Sequence, residues 1–390
     1  MKIGILTQPL YMNYGGLLQA YALQTILKNE GHEVWIIQRI HAYNYSWLYQ
    51  QMSWLKFLLK QIASIIAGKK TLKQAKKDTA DSRLYTMAFT CKYISPRSRL
   101  LSTDEALKNF VSKMDFDAFV VGSDQVWRPK YSPNICNYFL DFAENLKVKR
   151  VAYAASFGTS DWEFSEEETQ KCRSLIQKFD LVSVRENDGV ILCSEYLDRN
   201  DAKWVLDPTM LLPKEHYFEL IAKAHLPEIN NKHIVAYILD ETPEKKDLLN
   251  QVQRELEKPI FDAKKGIESY EVIHVRGKAC VEEWLYGFQN ADFAVVDSFH
   301  GCVFSILFHV PFVVMANKNR GLSRFTSLLS LFGFESRLLT SIDFYSSKML
   351  DYNFAWNLVD QKLEELKKES YDFIFGSLND RIEFCSNNVK

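Results

Sequence analysis

The sequence predicts an α/β protein of two Rossmann-like domains, and three observations support this fold class. Short apolar runs rich in β-branched residues alternate with longer amphipathic segments, which is typical of parallel sheets covered by helices. The chain has 390 residues, more than one hydrophobic core usually holds. A stretch with two prolines, residues 207–213, separates two such series, and we interpret it as the interdomain linker.

The first series begins with a β-α-β unit, which implies a parallel sheet. A strand is predicted at residues 3–7, a helix at 17–29 that Gly31 ends, and a second strand at 34–37. Further strands are predicted at 118–121, 151–155, 181–184 and 204–206, with helices at 165–178 and 187–195.

The second series follows the linker and has the same alternation. Strands are predicted at 233–239, 259–262, 271–275, 293–296 and 312–315, and helices at 244–257, 281–290, after His300, at 322–331 and at 352–369. We therefore predict domains at residues 1–210 and 211–345 and a C-terminal helical segment, 346–390, that packs back on them. Two successive Rossmann-like halves indicate a GT-B-like architecture with an interdomain cleft between the carboxyl ends of both sheets.

Composition restricts the classes of partner. Hydrophobic residues make up 47% and charged residues 25%, as in soluble globular proteins, and the net charge of −1 argues against nucleic acid. Seven cysteines without a Cys-x-x-Cys pair favour reduced thiols in the cytoplasm over disulfides or zinc. The histidines have no metal-ligand spacing, so no metal is expected. No secretory signal and no apolar run of about 18 residues is visible.

Residues 42–100 interrupt the alternation and predict a helical insertion. Residues 54–67 are apolar over a wide face, and five lysines follow between positions 69 and 77. One interpretation is an amphipathic helix that contacts the anionic surface of the cytoplasmic membrane. The other is a helix packed on its own domain with a solvated basic end.

Residues 297–301, Asp-Ser-Phe-His-Gly, connect a predicted strand to a predicted helix. The turn brings the Ser298 hydroxyl, the His300 imidazole and backbone N–H groups, including that of Gly301, towards one place. A helix N-terminus favours anions, so an anion site is predicted here. Alternatively, His300 is a neutral first-turn residue with a structural role. Cys302 has no obvious partner triad and is expected to be structural.

Two loops of the first domain carry further candidates. Residues 13–16, Asn-Tyr-Gly-Gly, precede a helix, where glycines either admit a ligand or form a tight turn. Residues 121–127 leave a buried strand at its carboxyl end. Asp124 and Gln125 could bind sugar hydroxyls, Asp124 could act as a base, and Trp127 could stack on a sugar. The alternative is that Asp124 caps the next segment and Trp127 fills the core.

Several arginines also follow predicted strands. Arg185 ends the strand at 181–184 and either meets an anion or pairs with Glu186 or Asp188. Asn317, Arg320 and Arg324 follow the strand at 312–315 and can converge on the wall that carries His300. Surface solvation is the alternative for these arginines.

Taken together, these motifs resemble the polysaccharide pyruvyl transferase family. The resemblance rests on residues 13–16, 18–24, 122–127, 152–158, 183–186, 206–209, 281–285, 297–301 and 323–325, in this order and spacing. It covers nearly the whole chain, and residues 42–100 are the least family-like part.

The resemblance implies a GT-B-like transferase that takes pyruvate from phosphoenolpyruvate and places it as a ketal across two hydroxyls of a sugar. The setting would be synthesis of a bacterial capsule, exopolysaccharide or other surface glycan. No cofactor is implied beyond phosphoenolpyruvate as co-substrate, and the acceptor would be a nucleotide- or lipid-linked saccharide. The implied catalytic residues are His300, which binds the donor or supplies a proton, and Asp124, which faces the acceptor.

The remaining site residues divide between the domains. Donor-binding residues are expected to be Arg185, Ser298, His300, Gly301, Asn317, Arg320 and Arg324. Acceptor-binding residues are expected to be Asn13, Tyr14, Gly15, Gly16, Gln19, Ser123, Asp124, Gln125 and Trp127.

Position 298 departs from the family pattern. Some relatives carry Arg-Leu-His-Gly where this chain has residues 298–301, so another cation, Arg324, Arg320 or Arg276, must replace that arginine if it binds the donor. Two other functions stay open: a GT-B glycosyltransferase that uses a sugar nucleotide, and a non-catalytic protein that binds a glycan precursor or assembly enzymes.

Overall fold

The computed structural model describes residues 1–10, 13–41, 85–229, 231–269, 279–316, 321–351 and 354–386. The predicted membrane-contacting helix at 54–67, the strand at 271–275 and the residues Arg276, Asn317 and Arg320 lie outside this set. Within it, no helix is both long and apolar enough to cross a bilayer.

The first sheet has six parallel strands in the order β2-β1-β3-β4-β5-β6. They are β1 (Lys2–Leu6), β2 (Glu33–Ile37), β3 (Ala118–Val121), β4 (Lys149–Ala155), β5 (Leu181–Val184) and β6 (Lys203–Trp204). β3 is buried along its whole length, because helices cover both faces of the sheet. The helices of this part are α1 (Tyr14–Asn29), α2 (85–93), α3 (Asp104–Val111), α4 (Glu166–Ile176) and α5 (Asn187–Leu197).

The second sheet has five parallel strands in the order β11-β10-β9-β7-β8. They are β7 (His233–Tyr237), β8 (Ile260–Asp262), β9 (Ala291–Val296), β10 (Phe312–Met315) and β11 (Leu338–Leu339). The accompanying helices are α6 (Lys214–Ala222), α7 (Pro243–Leu256), α8 (Val281–Gln289), α9 (Phe299–Leu307), α10 (Ser323–Phe332) and α11 (Trp356–Ser386).

This arrangement confirms the predicted fold class of two Rossmann-like units. The strands at 118–121, 181–184 and 312–315 have the predicted bounds. The C-terminal helix begins later than predicted, at Trp356, and runs to Ser386. The residue boundaries of the domains stay a prediction.

The two sheets are joined by contacts that cross between the units. Tyr14, at the start of α1, donates its hydroxyl to the Ala279 carbonyl at 2.7 Å, and its ring stacks on Trp284 at 5.9 Å. Helix α11 spans both units: Asp360 accepts from His309 at 2.8 Å, and Ser370 Oγ accepts from the Leu206 amide at 3.1 Å. These contacts turn the carboxyl ends of the sheets towards each other.

The closest approach between the units lies at Gly15, in the first turn of α1. A Cβ atom built on Gly15 would overlap the imidazole ring of His300 at the start of α9. A Cβ on the adjacent Gly16 would meet only the ends of two side chains, at 3.2 Å from Asn13 Nδ2 and 3.3 Å from Asp124 Oδ2. Glycine at position 15 is therefore required for His300 to lie where it does.

We expect Gly15→Ala to lower the free energy of unfolding by about 1–3 kcal/mol, the usual cost of overpacking a close contact. Gly16→Ala is the matched control, because it makes the same change one residue along the same helix and its neighbours can move. Its expected effect is within about 1 kcal/mol. Urea-unfolding midpoints of both variants measure the difference. Equal midpoints for the two variants would contradict the Gly15–His300 contact.

Candidate functional site

A cleft of about 410 Å³ lies between the carboxyl ends of the two sheets. The first unit contributes Gln8, Pro9, Asn13, Gly16, His41, Asp124, Gln125, Lys130 and Tyr131 to its lining. The second unit contributes Tyr237, Leu239, Asp297, Ser298, Phe299, His300, Arg324 and Phe325. This is the place where open α/β sheets collect their ligands.

A buried arginine lies behind the wall of the first unit. Arg185 follows β5, and its side chain is only 1% exposed. Its Nη1 donates to Asp207 Oδ2 at 2.9 Å, its Nε lies 3.3 Å from Glu186 Oε1, and its Nη2 lies 3.6 Å from Asp124 Oδ1. The predicted direct role of Arg185 in donor binding is therefore corrected, because three carboxylates surround its guanidinium and it does not line the cleft.

The same arginine connects the two walls. Its guanidinium carbon lies 4.4 Å from the ring centroid of Phe299, in the first turn of α9. Burial alone would raise the pKa of the Asp207 carboxyl, but His300 and Arg185 outweigh it and hold that pKa well below its usual range. Asp207 is thus an anion that faces both a cation of its own unit and an imidazole of the other.

Asp124 is the carboxylate around Arg185 that also lines the cleft. Its backbone has a positive φ of 72°, a conformation that aspartate tolerates better than most residues. Its carbonyl accepts from the amides of Val126 at 2.7 Å and Ser156 at 3.0 Å, and Oδ1 accepts from the Gln125 amide at 2.9 Å. The turn after β3 therefore holds the Asp124 carboxylate at the edge of the cavity.

The N-terminus of α9 forms the opposite wall. Ser298 is the N-cap, and its Oγ accepts from the Gly301 amide at 3.0 Å. The Gly301 amide is therefore used inside the turn, which corrects the prediction that it binds the donor. A Cβ at Gly301 would come within 2.9 Å of both Ser298 Oγ and Val296, so glycine is required here for packing.

His300 lies between the two units and is 7% exposed. One side of its ring packs on Gly15, and its Nε2 lies 3.7 Å from Asp207 Oδ2. That separation is too long for a hydrogen bond but allows an ion pair when the imidazole is protonated. His300 is thus oriented by a buried carboxylate.

Arg324 adds a cation to the same wall, in the first turn of α10. It lines the cleft although only 9% of the residue is exposed. Burial, and to a smaller extent the like charge of Arg185, lower the pKa of Arg324 to about 10, so the guanidinium is still charged at neutral pH. Asn317 and Arg320, predicted beside it, lie outside the described residues.

Three helix N-termini contribute residues to the cleft, and their first turns are unusual. No acidic residue occurs in the first turns of α1, α9 and α10. Each of the helices α3 to α8 carries at least one Asp or Glu there, the common complement to the helix dipole. Helix α11, which begins at Trp356 outside the cleft, also lacks one. The positive ends of three dipoles thus meet the cleft without a neutralising side chain.

Five predicted acceptor residues do not line the cleft, and one of them, Gly15, instead packs against His300. Trp127 is fully buried: its ring stacks on Phe139 at 5.0 Å and its Nε1 donates to the Tyr138 carbonyl, so the predicted sugar stacking is corrected. Tyr14 is an anchor between the two units, as described above.

The other two residues support the turn that carries Asp124. Gln19 is fully buried, donates to Thr7 Oγ1 at 2.8 Å and accepts from the Ser123 amide at 3.1 Å. Ser123 is also fully buried and donates to the Ala154 carbonyl at 2.8 Å. These polar groups of Gln19 and Ser123 form hydrogen bonds within the protein. The prediction that the two residues bind the acceptor directly is therefore corrected, and they support the turn instead.

Several lining residues were not among the sequence predictions. Gln8, His41 and Tyr131 follow β1, β2 and β3, and Tyr237 ends β7. The rule that the carboxyl ends of parallel strands share one edge of a sheet could have identified them. Asp297 also lines the cleft, but its carboxylate accepts from Lys245 Nζ at 2.6 Å and from the amides of Leu239 and Asp240, so it holds the loop after β7.

The described residues contain no group of three or more His, Cys, Asp or Glu side chains that could hold a metal ion. The two carboxylates that line the cleft instead lie beside cations, Asp124 beside Arg185 and Asp297 beside Lys245.

Solved structures with the same fold include enzymes that handle sugar nucleotides. UDP-GlcNAc 2-epimerase from Methanocaldococcus jannaschii matches with a TM-score of 0.50 and 10% identity over 90% of each chain. UGT89C1 from Arabidopsis thaliana, complexed with UDP-L-rhamnose, matches with a TM-score of 0.51 and 9% identity over 95% of this chain and 94% of that one. MnaA from S. aureus, in a co-structure with UDP, matches with a TM-score of 0.50 and 13% identity over 100% of this chain and 97% of that one.

At these identities the likeness shows the fold, which is that of GT-B-type glycosyltransferases and epimerases. No curated protein matches the chain in sequence. The family model described as polysaccharide pyruvyl transferase matches residues 13–319, a span that includes Asp124 and His300 but ends before Arg324. The chain therefore belongs to the polysaccharide pyruvyl transferase family, a family of transferases.

Proposed function

We propose that this enzyme transfers the pyruvyl group of phosphoenolpyruvate onto two hydroxyls of a saccharide, forming a ketal on a bacterial surface glycan or its precursor. The observation that carries the proposal is the wall of the second unit. There the buried cation of Arg324 and the oriented imidazole of His300 lie at helix N-termini without acidic residues. Membership of the pyruvyl transferase family supports the same reaction.

The donor side of the cleft suits an anion with two charged groups. Phosphoenolpyruvate carries a carboxylate and a phosphate, and each requires cations or N–H donors. Arg324 supplies a planar guanidinium group with several N–H donors, and the N-termini of α9 and α10 supply partial positive charge. An arginine in the first turn of a helix opposes the helix dipole, so a bound anion would stabilise Arg324 where it lies.

The chemistry needs one proton donor and one proton acceptor. A proton added to the methylene carbon of phosphoenolpyruvate makes it a methyl group and leaves C2 electrophilic. One sugar hydroxyl then bonds to C2 and loses its proton. The second hydroxyl then displaces the phosphate from C2, closes the ketal and also loses its proton. Of the two hydroxyl protons, one restores the proton that was added to the methylene carbon, and the other leaves on the phosphate.

We assign the proton donor to His300 and the acceptor-side base to Asp124. Asp207 Oδ2 lies 3.7 Å from Nε2 of His300, while the Nδ1 edge of the ring faces Gly15. In this assignment Asp207 is a positioning residue that stabilises the protonated imidazole. Asp124 lies across the cleft, on the wall of the first unit, where a carboxylate can accept a proton from a sugar hydroxyl.

Ligand binding tests the donor. Because a ligand that binds only the folded state stabilises it, phosphoenolpyruvate at 100 times its Kd should add about 2.7 kcal/mol to the free energy of unfolding. We expect thermal unfolding to shift upward with phosphoenolpyruvate, and the shift to be lost in Arg324→Gln. A UDP-sugar that binds as the acceptor should also shift thermal unfolding upward, but this shift should persist in Arg324→Gln. Stabilisation by UDP-sugars but not by phosphoenolpyruvate would favour a glycosyltransferase instead.

Replacing His300 tests the proton donor. We expect His300→Gln to lower kcat for phosphate release and ketal formation roughly 10²–10⁴-fold, the usual contribution of general acid–base catalysis. His309→Gln is the matched control, because His309 also pairs with an aspartate, Asp360 at 2.8 Å, but lies outside the cleft lining. Undiminished ketal formation by His300→Gln, measured by product mass, would exclude the assignment.

Asp124→Asn tests the acceptor-side base. The amide keeps the shape of the side chain but cannot take a proton, so turnover should fall at least roughly 100-fold. The Kd of phosphoenolpyruvate should change little, because the donor is proposed to lie on the opposite wall. Asp201→Asn, which removes an aspartate paired with Arg199 on the outside of the same unit, is the control. Unchanged acceptor turnover in Asp124→Asn would assign the base elsewhere.

A further inference from the structure

Tyr131 is an exposed aromatic residue on the first unit's wall of the cleft. It is 37% exposed and lines the cavity together with Lys130 and His41. Most of the large rings of this unit are buried instead, as Trp127 and Phe139 are. A tyrosine whose ring is left exposed in a ligand cleft is suited to contact a ligand.

The ring is held in place by groups beneath it. The Arg128 guanidinium carbon lies 4.8 Å from the Tyr131 ring centroid. Arg128 is itself buried and is clamped by Glu163 through two hydrogen bonds, Nε to Oε2 at 2.8 Å and Nη2 to Oε1 at 2.7 Å. His41 Nε2 lies 3.2 Å from the Tyr131 carbonyl. Both the ring and its backbone are thus fixed before any ligand binds.

Two other lining residues of this wall, Gln8 and Asn13, carry neutral amide groups. Gln8 donates its Nε2 to the Gln125 carbonyl at 2.7 Å and to Ser132 Oγ at 3.1 Å, so its orientation is fixed. Asn13 is the N-cap residue of α1, but its side chain makes no capping hydrogen bond and is exposed to the cleft. Amides offer both donors and acceptors, which suits hydroxyl groups. This wall therefore combines neutral amides with the Asp124 carboxylate, whereas the opposite wall carries the Arg324 guanidinium.

We propose that Tyr131 is the stacking platform for the pyranose ring of the acceptor saccharide, and that Arg128 is its positioning residue. The C–H face of the sugar would lie on the tyrosine ring, and the hydroxyls at its edge would meet the amides and Asp124. The inference rests on the proposed function, because it takes the saccharide to be the pyruvyl acceptor. It also replaces the stacking role predicted for Trp127, whose ring is buried.

Saturation-transfer NMR on the full-length protein tests the contact without turnover. The probes are UDP-N-acetylglucosamine and UDP-galactose, with UDP alone as the reference. We expect the wild-type protein to transfer saturation to pyranose C–H protons, and Tyr131→Ala to lose most of that transfer. No transfer to any pyranose proton, or transfer confined to the uridine protons and lost in Tyr131→Ala, would overturn the proposal.

Kinetics with the saccharide that shows ketal formation give a second measurement. Loss of one aromatic stacking contact should raise the acceptor KM roughly tenfold in Tyr131→Ala, while kcat and the KM of phosphoenolpyruvate stay unchanged. Tyr131→Phe keeps the ring and should behave like the wild type. Arg128→Met should raise the acceptor KM without changing kcat, as expected if it acts through Tyr131. Tyr345→Ala, which removes a tyrosine bonded to Glu255 outside the cleft lining, is the control.

The outcomes separate this inference from the proposed function. Pyranose binding that depends on Tyr131, without phosphate release from phosphoenolpyruvate, would contradict pyruvyl transfer and leave the stacking contact standing. Ketal formation with an unchanged acceptor KM in Tyr131→Ala would leave pyruvyl transfer standing and overturn the stacking contact.

Discussion

The pairing of the buried Arg185 guanidinium with Asp207 is the interaction on which the site depends. The two residues follow β5 and β6, and the same guanidinium faces Asp124 after β3, so one cation fixes three strand ends. Removing one partner from a buried pair leaves an unpaired charge and costs about 3–5 kcal/mol. Because the folded-state pKa of Asp207 is depressed, its contribution is present above the ordinary aspartate range and is lost only as pH falls towards the lowered value. The pair is therefore intact at neutral pH.

Two residues of the second unit, Phe299 and His300, lie against this pair. The Phe299 ring lies over Arg185, and His300 faces Asp207 while it packs on Gly15. The imidazole is thus placed by residues of the other unit and not by its own helix. A change in the relative position of the two sheets would separate His300 from the carboxylate that stabilises its protonated form. In the mechanism that we propose, the arrangement of the two units and proton transfer by His300 are therefore coupled.

Much of the fold and part of the site could be predicted from the sequence. Buried parallel strands such as β3 and β5 are short runs of β-branched and apolar residues, so their bounds follow from local composition. For Trp127 the sequence left two roles open, stacking on a sugar or filling the core, because its partners Tyr138 and Phe139 lie in a short 3-10 segment without periodicity. For Arg185 the sequence also left two roles open, since the carboxylate nearest to its guanidinium, that of Asp207, is 22 residues away in the chain.

Ser298 and Arg324 have different roles at the start of two neighbouring helices. Ser298 caps α9, since its Oγ accepts from the Gly301 amide. A serine at this position stabilises the helix, typically by about 1 kcal/mol relative to alanine, whereas an arginine there would oppose the dipole unless an anion were bound. Arg324 carries the opposing charge instead, at the start of α10, on the same wall. The cap of the helix that carries His300 and the cation on the same wall thus come from the starts of two different helices.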